Sequence, residues 1–469
     1  MQYKFKLIGV LAAGILASMA VQANGDGAEV CEGLSDKAFG ICRAAIGKKC
    51  NVLPTSMPEA CERLETRFRA VTDGMVPPWL VVPDPDSEAQ LTPVNLMVPF
   101  NPQPVRGTDG KYHLVYELQI QNFGTFGAVP APPPPAALLV EEVAVFDSAD
   151  PGFEPIFVLE GEALIERMQL VHLSARFPGA PPPIELQPAQ SAIVFLDLVF
   201  DERDAVPASL TNLVRVSAVP GTGPEPVVNE VEKQIEVNQT PVIVIGPSQR
   251  GVDWANFNGC CDFPFPHRRV VRSVDGAEYL PERYAADTLG TLKIDGVFEL
   301  FDGTGDFVDE WFGTGTEVLA VGDGVVSRVV VGVENNPIGE APFPPVLTTG
   351  GGNEVLVHMG DGIFAMYGHL LPGSVSLEVG DRVTRGQVVG LLGNTGVSTA
   401  PHLHFQVMDA NSIGKTEGLP FVYDEFEYIG TFDGINPVTG SLEGVVELPV
   451  PELRHNEMPL QNTIIRFTE

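Results

Sequence analysis

The sequence predicts a mostly β protein. A compact antiparallel β domain with lipoyl-like hairpins follows an immunoglobulin-like β-sandwich and a small disulfide-stapled helical hairpin. Three observations support this prediction. Apolar and polar residues alternate through the middle of the chain, as in "KYHLVYELQIQNFG"; glycine-rich segments with frequent turns follow; and four cysteines cluster near the N-terminus. Because successive side chains of a strand point to opposite faces, such alternation indicates half-buried strands.

A chain of 469 residues has room for about two to four domains. Changes in composition indicate where one segment ends and the next begins. The predicted segments are a signal peptide at 1–23, a cysteine-rich helical hairpin at 24–75, a proline-rich linker at 76–94, the sandwich at 95–245, the antiparallel β domain at 246–445 and a C-terminal tail at 446–469.

The first 23 residues have the pattern of a secretory signal peptide. Lys4 and Lys6 precede an apolar run over residues 7–21, and "VQA" fits a cleavage site of small residues. A membrane anchor is the alternative, but the run is short and rich in alanine and glycine. We therefore expect export to the periplasm or out of the cell, with no transmembrane segment left after cleavage.

The formal net charge of -33 at pH 7 narrows the range of partners. Nucleic acids and anionic lipid surfaces bind proteins through clusters of lysine and arginine. A chain this acidic lacks such a basic surface. The composition therefore argues against a nucleic-acid partner and against a polybasic membrane contact.

The early cysteines are Cys31, Cys42, Cys50 and Cys61. In an exported chain they predict two disulfides, with three pairings open. A zinc knuckle is the alternative, but the close CxxC spacing is missing. Cys260 and Cys261 are adjacent, and they form either a vicinal disulfide or a bond in which one of them pairs elsewhere.

The predicted sandwich contains several short strands that proline-rich connections such as "AVPAPPPPAA" separate. Short strands spaced by turn signals are typical of an immunoglobulin-like fold. His113 and His172 lie in this region without a cluster of catalytic residue types around them. We expect the domain to be a spacer or a module that binds the cell wall or a partner.

The following β domain is rich in glycine and has short strands. It contains two half-similar units, "VGDGVVSRVV" and "VGDRVTRGQVVG". Their repetition indicates hairpins in a lipoyl-like arrangement.

His402 and His404 stand one residue apart in "PHLHFQV". Residues i and i+2 of a strand point to the same face, so their Cα atoms lie roughly 6–7 Å apart and the two imidazoles can share one ion or substrate. The alternative is a histidine pair on a solvated strand face. The surrounding sequence distinguishes the two.

Residues 355–408 resemble the core of the lysostaphin-type, or LytM-like, zinc metallopeptidases, which are M23 peptidases. The matching features are a "YGHL" turn, a "GDRVTRGQ" hairpin and "TGVSTAPHLHF". The resemblance extends over roughly residues 260–440, less than half of the chain.

The resemblance implies a Zn²⁺ cofactor and the hydrolysis of peptide bonds. It implies that His404 is a metal ligand and that His402 is the base or proton carrier for the attacking water. His369 of the "YGHL" turn would help to stabilise the tetrahedral intermediate. Imidazole can fill each of these roles near neutral pH.

The other ligands depart from the commoner family pattern, His-x-x-x-Asp. In "ERYAADTLG", Arg283 stands at the histidine position, four residues before Asp287. This version resembles a branch in which "RYA-x-D" supplies the aspartate and an upstream "HRR" supplies a histidine, here His267. The resemblance therefore implies His267, Asp287 and His404 as metal ligands, each of a type that zinc binds.

Two residues in this pattern have alternative interpretations. His267 is otherwise a surface histidine beside two arginines, and Asp262, Asp253 or His358 would then replace it. Arg283 either pairs with a carboxylate near the site or lies in solvent.

The predicted function is that of a secreted or periplasmic zinc metalloendopeptidase. Its substrate would be peptidoglycan peptides or an extracellular protein, with a Gly-Gly bond and a D-amino-acid cross-link both open. The alternative is a catalytically weak or inactive M23-like regulator of cell-wall hydrolases. Such regulators usually lack a ligand position, whereas His369, His402, His404 and Asp287 are all present. A lipoyl-like carrier is a third class, but those proteins are intracellular.

Overall fold

The computed structural model describes residues 92–123, 137–150, 154–171, 184–219, 229–261, 267–342 and 348–468. They belong to one compact unit, Leu91–Glu469. The predicted signal peptide, the cysteine-rich hairpin and nearly all of the proline-rich linker lie outside the described residues. None of the described helices combines the length and the apolar character that a membrane span requires.

Within its described residues, the N-terminal half of this unit has ten strands, one α-helix and one 3-10 turn, Arg203–Ala205. The strands and the α-helix are β1 (Val94–Met97), β2 (Val105–Arg106), β3 (Tyr112–Asn122), β4 (Leu138–Asp147), β5 (Pro155–Glu160), α1 (Gly161–Arg167), β6 (Met168–Leu170), β7 (Glu185–Leu186), β8 (Ser191–Phe200), β9 (Ser209–Ala218) and β10 (Asn229–Glu236).

These strands form two antiparallel sheets around a shared core. The first sheet has the order β1-β3-β8-β6 with β2 beside β3, and the second has the order β10-β9-β4-β5 with β7 beside β4. Apolar side chains of both sheets, such as Leu118, Leu196 and Val214, are buried between them. The predicted β-sandwich is therefore confirmed.

Strand β3 is buried on both of its faces. Leu114 and Tyr116 point into the core of the sandwich. Val115, on the opposite face, belongs to the core of the C-terminal domain, and Glu117 is fully buried on that same face. Alternation along the strand predicts one buried face, and the second face is buried because the next domain covers it.

The described part of the C-terminal domain has nineteen further strands. They are β11 (Ile243–Ile245), β12 (Asp253–Phe257), β13 (Arg272–Val274), β14 (Ala277–Tyr279), β15 (Ala286–Ile294), β16 (Val297–Glu299), β17 (Glu317–Leu319), β18 (Gly324–Val330), β19 (Asn353–Gly360), β20 (Ile363–Leu370), β21 (Arg382–Val383), β22 (Val388–Leu391), β23 (Leu403–Met408), β24 (Phe421–Tyr423), β25 (Phe426–Thr431), β26 (Gly434–Ile435), β27 (Leu442–Glu443), β28 (Val446–Arg454) and β29 (Thr463–Arg466).

An 11-stranded sheet dominates this domain, in the order β21-β18-β19-β20-β23-β15-β12-β29-β25-β28 with β16 beside β15. Its central strands pair in antiparallel fashion. Trp254, Tyr367 and Phe405 are buried in its core. Among the described residues of this domain, the only helical pieces are short 3-10 turns. The predicted compact antiparallel β domain is confirmed.

The two half-similar glycine-rich units lie side by side in this sheet. The first contains β18 and the second contains β21, and the two strands pair in antiparallel register, with Gly324 opposite Val383. The internal similarity of the sequence thus corresponds to two strands that are neighbours in space.

The segment that the sequence analysis assigns to a C-terminal tail, residues 446–469, instead provides two strands of the main sheet. β29 lies between β12 and β25, and its Ile464 and Ile465 are buried. β28 forms the edge of the sheet beside β25. The apolar residues of β29 explain the difference, because burying them inside the sheet stabilises the fold more than exposing them in a tail.

Candidate metal centre

Asp287 and His404 come together because their strands are neighbours. β15 and β23 pair in antiparallel fashion, and Asp287 lies directly opposite His404. Nδ1 of His404 is 3.1 Å from Oδ1 of Asp287. Directly opposite residues are the closest side-chain pairs across two antiparallel strands, so the sheet register itself positions this pair.

His267 reaches the same point from a 3-10 turn, His267–Arg269. Its Nε2 is 3.4 Å from Oδ2 of Asp287. The ligand-type atoms of His267, Asp287 and His404 lie within 4.8 Å of one another, and all three residues are buried. The structure therefore brings together the three residues that the sequence analysis assigns as metal ligands.

The replacements considered for His267 lie elsewhere or outside the described residues. The carboxylate of Asp253 accepts hydrogen bonds from Arg466, and the ring of His358 stacks on that of Phe364 at 4.6 Å between centroids. Asp262 lies outside the described residues.

His267 and His404 each direct one ring nitrogen at the carboxylate of Asp287. Nδ1 of His267 donates to the carbonyl oxygen of Asn258 at 2.7 Å, so in the neutral ring the lone pair lies on Nε2. Nε2 of His404 donates to Oε1 of Gln406 at 2.8 Å, so in the neutral ring the lone pair lies on Nδ1. Lone pairs that face a carboxylate repel it unless a cation lies between them. Two imidazole nitrogens and one carboxylate oxygen also form a donor set that zinc binds, with room for a further ligand.

Asn258 and Gln406 are functional candidates that the sequence analysis missed. The side-chain amide of Asn258 also donates to Oδ2 of Asp287 at 2.7 Å, so this one residue orients two of the three ligands. Residues that hold metal ligands in this way fix the tautomer and the direction of the ring. The sequence could have indicated only Gln406, because it follows His404 by two residues and therefore lies on the same face of the strand.

His402 and His369 lie beside His267, Asp287 and His404. Nδ1 of His402 donates to the carbonyl oxygen of Ala400 at 2.7 Å, and its Nε2 is 3.3 Å from Oδ1 of Asp287. Nδ1 of His369 donates to the carbonyl oxygen of Thr395 at 2.7 Å. The two ring centroids are 4.6 Å apart. Both rings therefore present Nε2 as a proton acceptor when they are neutral.

The electrostatics of the centre follow from burial and close charges. Burial would raise the pKa of Asp287, but His267 and His402 outweigh it and hold that pKa well below its usual range. Burial would lower the pKa of His404, but its bond to Asp287 prevails and raises the pKa to about 9. Burial and the neighbouring histidines hold the pKa of His369 well below its usual range. Asp287 therefore favours a positive charge, either a proton or a metal ion, on Nδ1 of His404, while His369 is neutral.

The centre lies at the bottom of a cleft of about 570 Å³. One wall carries an ion pair between Arg272 and Glu282, with 3.0 Å between Nη2 and Oε1. The lining also includes the apolar side chains of Phe257, Trp311 and Ile435. An extended peptide can thus contact both polar and apolar surfaces beside the histidines.

Arg283 points away from this cleft. Its Nε lies 2.7 Å from Oε2 of Glu117, its Nη2 lies 2.8 Å from Oε2 of Glu417, and its side chain is 0% exposed. Burial would lower the pKa of Arg283, but Glu117 and Glu417 raise it above its ordinary value. Arg283 thus pairs with carboxylates instead of lying in solvent, but Glu117 and Glu417 do not line the cleft, so the expected carboxylate near the site is not its partner.

A second group of ligand-type side chains consists of His113, Asp197 and Cys261. In the structure Cys261 is paired with Cys260 through its sulfur atom. It therefore offers no thiolate to a metal, and this group is not a candidate centre.

The family comparisons agree with the sequence pattern. Residues 308–415 match the model of Peptidase family M23. This segment contains His369, His402 and His404, whereas His267 and Asp287 precede it.

Among similar curated proteins is the glycyl-glycine endopeptidase ALE-1 of Staphylococcus capitis, 38% identical over 118 residues, which are 24% of this chain and 28% of the relative. Lysostaphin of Staphylococcus simulans is 36% identical over 119 residues, 24% of this chain and 20% of the relative. The peptidoglycan DD-endopeptidase ShyA of Vibrio cholerae is 36% identical over 94 residues, 20% of this chain and 18% of the relative. The chain thus aligns with less than a third of the length of each of these relatives.

Among solved structures, the catalytic domain of lysostaphin from Staphylococcus simulans is 30% identical, with 27% of this chain and 80% of that chain covered and a TM-score of 0.18. A zinc-containing peptidase from Vibrio cholerae is 14% identical, with 70% and 86% covered and a TM-score of 0.19. From the family match and the curated relatives, the chain contains a peptidase M23 domain homologous to those of lysostaphin and ALE-1.

Proposed function

We propose that this protein is an exported zinc metalloendopeptidase that hydrolyses peptide bonds of peptidoglycan. The observation that carries the proposal is the convergence of His267, Asp287 and His404 beside His402 and His369 in one open cleft. The names of the relatives add support, because one is a glycyl-glycine endopeptidase and another a peptidoglycan DD-endopeptidase.

The donor set fits zinc, with Nε2 of His267, a carboxylate oxygen of Asp287 and Nδ1 of His404 as the proposed ligands. A bound zinc ion supplies Lewis acidity, which polarises a carbonyl group and makes water a better nucleophile at neutral pH. Asn258 and Gln406 hold the two imidazoles in the required tautomers.

His402 is the proposed proton acceptor. The carbonyl oxygen of Ala400 accepts a hydrogen bond from its Nδ1–H, so in the neutral ring Nε2, which lies beside Asp287, can take a proton from the attacking water and pass it to the leaving amine. His369 presents Nε2 to the same space. Because the neutral ring has no proton there, its role as a donor to the tetrahedral intermediate requires that it take up a proton during the reaction.

The apolar run over residues 7–21 and the adjacent Cys260 and Cys261 support export. A bond between these two sulfur atoms would persist in an oxidising compartment outside the cytoplasm. Edman sequencing of the protein from the periplasm or the medium should begin near residue 24. Recovery of a chain that still carries residues 1–23 would refute the cleavage.

The activity is tested on purified peptidoglycan with the full mature chain and its His402→Ala variant. We expect the wild type to release new amino groups, and the variant to do so about 10²–10⁴-fold more slowly, since it lacks the proton acceptor. His455→Ala is the matched control, because that histidine is 54% exposed and does not line the cleft, and the rate of this variant should equal that of the wild type. Zinc binding without any hydrolysis would favour a regulator of other hydrolases.

A further inference from the structure

The outer face of β3 carries a buried carboxylate that contacts both segments bearing the proposed metal ligands. Oε2 of Glu117 lies 2.7 Å from Nε of Arg283, and its Oε1 lies 3.4 Å from Nη2 of Arg268. Glu117 is 0% exposed and the two arginines are 2% exposed. Charges buried this completely interact much more strongly than charges in water.

Arg268 belongs to the same 3-10 turn as His267, and this turn is held on the sandwich. Nη2 of Arg268 donates to the carbonyl oxygen of Leu196 in β8 at 3.4 Å. Nε of Arg269 donates to Oε1 of Gln169 in β6 at 3.0 Å. Three sandwich strands, β3, β6 and β8, thus determine where this turn lies.

Arg283 and Tyr284 precede Asp287 in the segment that leads into β15. The hydroxyl of Tyr284 donates to the carbonyl oxygen of Val115 in β3 at 3.3 Å. Arg283 bridges β3 to the C-terminal domain, since it contacts both Glu117 and Glu417. Strand β3 therefore contacts the segment that carries Asp287 as well as the turn that carries His267.

The four charged groups balance one another. Two carboxylates, Glu117 and Glu417, accompany two guanidinium groups, Arg268 and Arg283, and within this group Glu117 alone contacts both arginines. Removal of one partner from a buried ion pair leaves an uncompensated charge and displaces its neighbours, whereas removal of one charge of each sign keeps the balance.

We propose that Glu117 is a positioning residue of the metal centre and that the sandwich is a structural part of that centre. The proposal rests on the proposed zinc site. It replaces the expectation that the sandwich is only a spacer or binding module. Glu117 acts through Arg268 on His267 and through Arg283 on Asp287, so its loss changes the distance between two ligands.

The test is the zinc affinity of the full chain with Glu117→Gln, measured by competition with a chromophoric chelator. We expect zinc to bind about tenfold or more weakly, and the visible spectrum of the cobalt-substituted protein to change with the ligand geometry. Glu142→Gln is the matched control, because Glu142 pairs with Arg215 within the sandwich at 2.8 Å. It should leave affinity and spectrum unchanged.

Thermal unfolding and near-ultraviolet circular dichroism show whether Glu117→Gln folds. Should it fail to fold, the double variant Glu117→Gln/Arg268→Met, which keeps the charges balanced, replaces it and should also bind zinc weakly. A folded variant with wild-type zinc affinity and cobalt spectrum would overturn the proposal, even with a lower unfolding temperature. Absence of zinc binding by the wild type would instead refute the proposed function.

Discussion

At the scale of single residues, the metal centre depends on the direction of lone pairs as much as on the ligands themselves. The carbonyl oxygen of Asn258 and the side-chain oxygen of Gln406 each accept a hydrogen bond from one imidazole N–H and so turn the other nitrogen of His267 and His404 toward Asp287. The resemblance to a family predicts the three ligands. It does not predict Asn258, because no sequence pattern tells which backbone carbonyl will lie beside a histidine from a separate turn.

Replacing Asn258 with glycine should weaken zinc binding about 10–100-fold, the usual effect of losing a group that orients a metal ligand. Asn258 has a φ of 50°, which glycine adopts without strain, so the variant loses only the amide that donates to Asp287. Zinc titration measures the change. Asn456→Gly is the control, since Asn456 has a φ of 52° and is exposed. Equal affinities for the two variants would contradict the role of Asn258.

His113 should make stability depend on pH. Burial lowers its pKa, but the carboxylates of Asp109 and Asp197 outweigh burial and raise the pKa to about 9 from 6.5. Because the pKa is raised in the folded state, the stabilisation is fully present below pH 6.5 and is lost as the pH rises through 9. It amounts to at most about 3 kcal/mol.

Urea unfolding of the wild type and of His113→Gln at pH 6 and pH 9.5 measures this dependence. The wild type should exceed the variant in free energy of unfolding at pH 6, and the difference should shrink at pH 9.5. A difference that is the same at both pH values would show that His113 does not titrate in this way.

At the scale of the elements, the local sequence pattern predicts that a strand exists, whereas its position in the sheet depends on the strands with which it pairs. The fold class follows from alternation and glycine spacing, and so do strands such as β3 and β18. The position of β29 does not, because a strand of four residues shows neither its partners nor its depth in a sheet. β29 pairs with β12, about two hundred residues earlier in the chain, and such distant pairing leaves no trace in the local pattern.

Ile464→Ala should therefore cost about 2–5 kcal/mol of folding free energy, as for other fully buried isoleucines. Ile464 is 0% exposed in the middle of the main sheet. Val446→Ala, in β28, should change stability by less than about 0.5 kcal/mol, because Val446 is 68% exposed. Chemical unfolding of both variants measures the two effects. If residues 446–469 were a dispensable tail, both variants would show similarly small changes in the free energy of unfolding.

At the scale of the whole molecule, the sandwich and the C-terminal domain share a buried charged boundary. Alternation along β3 predicts which residues share a face with Glu117, but not that a second domain covers that face. The proposed ligands come from three places: a turn that lies on the sandwich, strand β15 and strand β23. Their convergence is thus a property of the assembled molecule, and the family match, which begins at residue 308, includes neither the turn nor β15.

Anomalous X-ray diffraction at the zinc absorption edge, from crystals of the full chain, tests the central claim most directly. A single strong peak should lie among Nε2 of His267, the carboxylate of Asp287 and Nδ1 of His404, at about 2.0–2.2 Å from each donor atom. A peak that leaves His267 uncoordinated, or a zinc ion at another place in the molecule, would contradict the account.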